Sequence, residues 1–78
     1  MAVSEANKEK ARFIFDRVFT QLHVRWIGPE HDFDRDSYKA RIQCGARKGQ
    51  LVYISDQRLE DANVSAEDIR RELLRQLS

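Results

Sequence analysis

Apolar positions along this chain change their period twice. Ala11, Ile14, Phe15, Val18, Phe19 and Leu22 recur at spacings of three and four. At about 100° per residue they form one stripe, so the spacing predicts a helix starting near Ser4, a good N-cap residue. Lys8, Arg12 and Asp16 fall off the stripe, and Phe13 falls opposite it, facing a second surface or solvent. The helical period fades after Leu22. His23-Val24-Arg25-Trp26-Ile27 is rich in β-branched and aromatic side chains and stops at Gly28-Pro29, which fits a short strand or a frayed last helical turn equally well.

Residues 28–37 are polar and are expected to form a loop. From Tyr38 the period becomes two, with Tyr38, Ala40, Ile42 and Cys44 on one side and Lys39, Arg41 and Gln43 on the other. Gly45 and Gly49 bracket a short turn, and Gln50-Leu51-Val52-Tyr53-Ile54-Ser55 reads as the returning strand of a hairpin. A three-residue loop at Ala46, Arg47 and Lys48 sets Arg41 opposite Tyr53 on the outer face, flanked by Lys39, Gln43 and Leu51. A two-residue loop moves Tyr53 to the inner face, because a one-residue slip turns every side chain over.

After a polar connection, Ser65 and Asp68 have the spacing of a capping box for a second helix, although aspartate reaches back less well than glutamate. Ala66, Ile69, Leu73 and Leu77 form its apolar stripe, and Glu67, Arg71 and Arg75 line the opposite face. A lone hairpin is marginal in water, so both helices must cover its apolar face. The expected fold is therefore a single small α+β domain over residues 1–78, in two layers. Its order is helix, a short strand if residues 23–27 take one, β-hairpin, helix.

Composition narrows the setting. The chain has 78 residues, 41% apolar and 35% charged, as expected of a soluble globular protein rather than a disordered one. Below about 80 residues a core rarely supplies more than about 3–5 kcal/mol, which favours a dimer or a partner. The single cysteine, Cys44, cannot form an intramolecular disulfide. No apolar run exceeds four residues, and the N-terminus does not resemble a signal peptide. A cytoplasmic location without membrane association follows by elimination.

Fourteen Lys and Arg against thirteen Asp and Glu leave a net charge of +1, which excludes a strongly basic nucleic-acid coat protein and an acidic nucleic-acid mimic. The balance hides segregation. Residues 1–27 sum to +2 and residues 51–78 to −2. Between them, Arg35 against Glu30, Asp32, Asp34 and Asp36 gives −3 over residues 28–37. Lys39, Arg41, Arg47 and Lys48 with no acid give +4 over residues 38–50. A basic strand face carrying Tyr53 suits single-stranded nucleic acid, where cations hold phosphates and a ring stacks a base. The same residues equally serve as an edge that resists aggregation and as ordinary cross-strand pairs.

Sites for chemistry are scarce. Asp32, Asp34 and Asp36 resemble the start of a calcium loop, but the positions for its glycine and bidentate acid hold Ser37 and Gln43. Solvated acids capping their own loop are the simpler reading. His23, His31 and Cys44 lack zinc-ligand spacing, and Cys44 alternates with apolar residues as a small core side chain. No glycine-rich phosphate loop or nucleophile elbow is present. Neither a cofactor, a metal nor enzymatic activity is expected. Trp26 is either a core residue closing the helix against the sheet or an exposed anchor for a partner. His31 is expected to be a solvated loop residue.

Gly28-Pro29-Glu30-His31, lying between a possible strand and a hairpin, resembles the Gly-Pro-x-His motif of the double-stranded-RNA-binding domain, which runs helix, three strands, helix. The resemblance implies that His31 contacts an RNA minor groove. That family carries lysines at the start of its last helix to grip phosphates. Here residues 65–68 are Ser65-Ala66-Glu67-Asp68, which would repel them, so the chain is not assigned to that family. The expected function is a non-catalytic protein-interaction or regulatory module, binding a protein partner or itself through the hairpin and Trp26. The alternative is nucleic-acid binding by Lys39, Arg41, Arg47, Lys48 and Tyr53.

Overall fold

The computed structural model describes residues 5–77, so the cap expected at Ser4 lies outside the described residues. A helix α1 (Glu5–Gln21) leads into three strands, β1 (Trp26–Asp32), β2 (Ser37–Ile42) and β3 (Leu51–Ser55). A short helix α2 (Asp56–Glu60) and a final helix α3 (Ala66–Leu77) complete the chain. The strands form one antiparallel sheet in the order β1-β2-β3, with the long helices layered on one face. This is the small two-layer α+β fold read from the periodicity, with a third strand added. Among the described residues, no helix is long and apolar enough to cross a membrane.

Why α1 stops where it does is local. The Val24 N–H donates to Phe19 O at 3.0 Å and the His23 N–H to Thr20 O at 3.2 Å, a closing pattern that needs one left-handed residue. His23 takes it, with φ 57°. The helix therefore releases Leu22, which is exposed rather than on the buried stripe, and residues 23–25 lead into β1. Residues 23–27 are thus neither wholly strand nor a frayed turn.

The larger correction is at residues 28–32, which continue β1 instead of forming a loop, leaving only residues 33–36 as the turn. Trp26 pairs with Ile42 and Ile27 with Arg41, but then Glu30 pairs with Lys39 and His31 with Tyr38. Two residues, Gly28 and Pro29, thus stand where β2 has only Ala40, which is a β-bulge. Glycine is required there: φ is 128°, and a Cβ would lie 2.9 Å from Lys39 O. The Gly28-Pro29 peptide bond is cis.

The hairpin also differs in detail. Lys39 pairs with Tyr53, Ala40 with Val52 and Arg41 with Leu51, two residues away from the expected partners. A shift of two keeps every side chain on its face, so Tyr53 remains outside with Lys39 and Arg41. The loop between β2 and β3 is correspondingly longer. Cys44 falls in it, half-buried, its Sγ accepting a weak hydrogen bond from the Arg25 N–H at 3.4 Å rather than extending the inner strand face.

Between sheet and helices lies one core. It joins Ala11, Ile14, Phe15, Val18 and Phe19 of α1 to Tyr38, Ala40, Ile42, Val52 and Ile54 of the sheet and to Leu59, Ile69, Leu73 and Leu77. Ala66, expected on the α3 stripe, is exposed at the helix start. The capping box closes despite its aspartate: the Ser65 N–H donates to Asp68 Oδ2 and the Asp68 N–H to Ser65 Oγ, both at 3.1 Å. The Ser65 backbone N–H on the carboxylate, and after it the Ser65 side chain, hold the Asp68 carboxyl below its ordinary range. In the segment read only as a polar connection, Ser55 caps α2 by accepting from the Arg58 N–H, and Leu59 enters the core.

Candidate interaction surface

Alternation places Tyr38, Ala40, Ile42, Val52 and Ile54 under the helices, so Lys39, Arg41, Leu51 and Tyr53 point outward. The register sets Ile27, Arg41 and Leu51 side by side in one rung across all three strands. Ile27 is 55% exposed, and Arg41 between it and Leu51 is exposed too. Arg47 and Lys48 are exposed in the loop beyond this rung, and exposed Arg25 lies beside it, its carbonyl accepting the Gln43 N–H at 2.9 Å. Arg25, Arg41, Arg47 and Lys48 form no ion pair among the described residues.

Lys39 and Tyr53, further along the same face, are engaged within the chain. The Lys39 Nζ lies 3.9 Å from Asp32 Oδ2, and the Arg35 guanidinium sits 4.7 Å above the centre of the Tyr53 ring. The ring that nucleic-acid binding would use to stack a base is therefore already covered on one side. Trp26 is not brought to this surface. It is half-buried under α1, its ring 5.7 Å from that of Phe15 and 5.4 Å from that of Phe19. Its outer edge lines a groove of about 370 Å³ with Glu9, Arg12, Phe13, Asp16 and Gly28, on the helix side of the sheet.

The acids collect at the other end. The Asp32 Oδ1 accepts from the backbone N–H groups of Asp34 and Arg35, at 3.0 and 3.3 Å, and so shapes the turn. Ser37 is buried there, its hydroxyl donating to Arg35 O at 2.8 Å. Asp36 takes a left-handed conformation, φ 47°, and its carbonyl accepts from the Asp56 N–H at 2.8 Å. Among the described residues no group of three His, Cys, Asp or Glu side chains could hold a metal ion.

His31 is neither a solvated loop residue nor placed to reach a nucleic-acid groove. Its side chain is 10% exposed and packs edge-on against Tyr38 and Phe33, with Nε2 at 2.7 Å from Asp56 Oδ2. The bulge explains this: without its extra residue, His31 would share the outward face with Lys39. His31 Nδ1 and Asp56 Oδ1 are buried without a hydrogen-bond partner among the described residues. Burial, followed by the nearby charges of Asp56 and Glu5, raises the Tyr38 phenol above its ordinary value of 10.0. Sequence reasoning missed this cluster, yet Gly-Pro inside a β-rich stretch is a bulge signal that could have turned His31 inward.

The second sheet edge is closed by a side chain. The Gln76 amide of α3 accepts from the Tyr53 N–H at 3.0 Å and donates to Tyr53 O at 2.9 Å, taking the place of a neighbouring strand. Gln50 ties the same corner by donating to Gln76 O at 3.1 Å. Comparison with protein-family models, with curated proteins and with solved structures finds nothing that matches this chain.

Proposed function

We propose that the protein is a non-catalytic protein-interaction module whose binding surface is the outer face of the sheet. The observation that carries this reading is the rung Ile27–Arg41–Leu51, in which an exposed cation stands between two apolar side chains with further exposed cations beside it. Such a surface suits a protein partner that sets carboxylates around an apolar centre. It suits nucleic acid less well, because Arg35 covers Tyr53 and Asp32 neutralises Lys39. Free Cys44 supports a reducing, cytoplasmic setting.

The test is a titration of the isotopically labelled chain, followed by amide resonances. The ligands are an acidic amphipathic peptide of Glu and Leu, single-stranded RNA, double-stranded RNA and duplex DNA, at low and physiological salt. The peptide is expected to shift Ile27, Arg41 and Leu51 at both salt levels, and Leu51→Asp should remove the response. Binding of nucleic acid that survives physiological salt, is indifferent to Leu51→Asp and disappears in Arg47→Glu/Lys48→Glu would replace this reading with the nucleic-acid one. Unmoved outer-face resonances with every ligand would end both.

A further inference from the structure

The antiparallel meander puts the 33–36 turn and the 43–50 loop at opposite ends of β2. Charge follows that geometry. One end of the outer face carries Arg25, Arg41, Arg47 and Lys48, +4 in all, and the other carries Glu30, Asp32, Asp34 and Asp36 together with Lys39 and Arg35, −2 in all. At about 3.3 Å per residue the six residues of β2 separate the two ends by about 20 Å. That is more than twice the screening length of about 8 Å at physiological ionic strength, so the ends do not neutralise each other within one chain.

Resting on the outer-face reading above, we infer that the partner is a second copy of this chain, packed outer face to outer face. The twofold axis lies between the sheets, perpendicular to the strands. That operation lays the cationic end of each copy, with its Ile27–Arg41–Leu51 rung, over the acidic end of the other, twice. A net charge of only +1 per chain leaves little overall repulsion to oppose the pairing. The face is small: three strands about 4.8 Å apart and about 20 Å long bury well under the area of a standard interface, so a weak dimer is expected.

Sedimentation equilibrium of the full chain from about 5 to about 500 µM tests this. The wild type should show a reversible monomer–dimer equilibrium that weakens with added salt. Two variants cancel one end each: Arg47→Glu/Lys48→Glu leaves Arg25 and Arg41 balanced by two acids, and Asp34→Lys/Asp36→Asn removes the net negative charge of the other end. Asparagine keeps the left-handed backbone at residue 36 accessible. Each variant alone should dimerise at least about tenfold more weakly, and an equimolar mixture of the two should form a heterodimer tighter than either homodimer, because one of the two end-to-end contacts is restored. Its formation also shows that both variants are folded.

A wild type that stays monomeric, a mixture that stays monomeric, or assembly that grows past the dimer with concentration would overturn the inference. If the wild type is monomeric while the acidic peptide still shifts Ile27, Arg41 and Leu51, the surface stands and its partner is a different protein. If the peptide also fails, the outer-face reading falls with the dimer.

Discussion

The two faces of this sheet are built from the same three strands yet differ in what covers them. The inner face is closed: Tyr38, Ala40, Ile42, Val52 and Ile54 are each at most 3% exposed beneath the helices. Among the described residues the outer face has no layer above it, and Ile27, Arg41 and the loop cations are exposed. One face thus holds stability and the other holds charge and unused apolar area. The bulge at Gly28-Pro29 connects them, because it lets Ile27 and Glu30 both face outward while Trp26 and His31 both face inward.

Substitutions should separate the faces by what they change. The largest effect is expected for Phe15→Ala, which empties the aromatic packing of Phe15, Phe19 and Trp26 and should cost about 3–5 kcal/mol, close to the whole stability of a chain this size. Urea unfolding followed by Trp26 fluorescence reads it directly. Gly28→Ala comes next. Its Cβ meets Lys39 O at 2.9 Å in a backbone conformation closed to other residues, and a loss of about 3 kcal/mol is expected. A neutral result in the same unfolding experiment would mean that the bulge does not set which face His31 takes.

Capping is expected to contribute less. Ser65→Ala removes the acceptor for the Asp68 N–H and should cost about 1 kcal/mol. The same helix start sets an acid dependence. The Ser65 hydrogen bonds lower Asp68, and the bond to Arg70 lowers Glu67, so both carboxylates are stabilised in the folded chain. Their contribution is present above their unfolded values, near pH 4, and is lost as pH falls through the lower folded ones. Tyr38 acts in the opposite sense on the inner face: its raised phenol favours the folded chain below about pH 10, and that contribution fades as pH rises beyond. Thermal melts across pH should show both limits, with Asp68→Asn flattening the acid one and Tyr38→Phe the alkaline one.

The smallest effect on stability belongs to the outer face. Leu51→Asp, at a half-buried strand position, should cost no more than about 1 kcal/mol while abolishing partner binding. A destabilisation as large as that of a core substitution would mean that the outer face is a structural layer and not a docking surface.

Much of this molecule was legible in its sequence. The stripe from Ala11 to Phe19, the alternation from Tyr38 to Ile42 and the Ser65–Asp68 box each predict their element, because each signal is repeated or reciprocal within a few residues. The outer placement of Lys39 and Arg41 was legible for the same reason, whereas that of Tyr53 hung on the loop length, and the structure sets it outside. Their state was not legible. That Arg35 covers Tyr53 and Asp32 meets Lys39 depends on how the 33–36 turn folds back over the sheet. His31 was misread because a loop and a bulged strand share the same polar composition.

Local periodicity thus determined the helices, the hairpin, the two-layer class and the separation of charge along the chain, all of which depend on neighbours a few residues apart. Tertiary structure alone decided that residues 28–32 are a strand, that His31 meets Asp56 from 25 positions away, and that Gln76 closes the edge at Tyr53 from 23 positions away. Those contacts form only once the elements are packed. Their partners are distant in sequence, and no period within one segment records the surface it will meet.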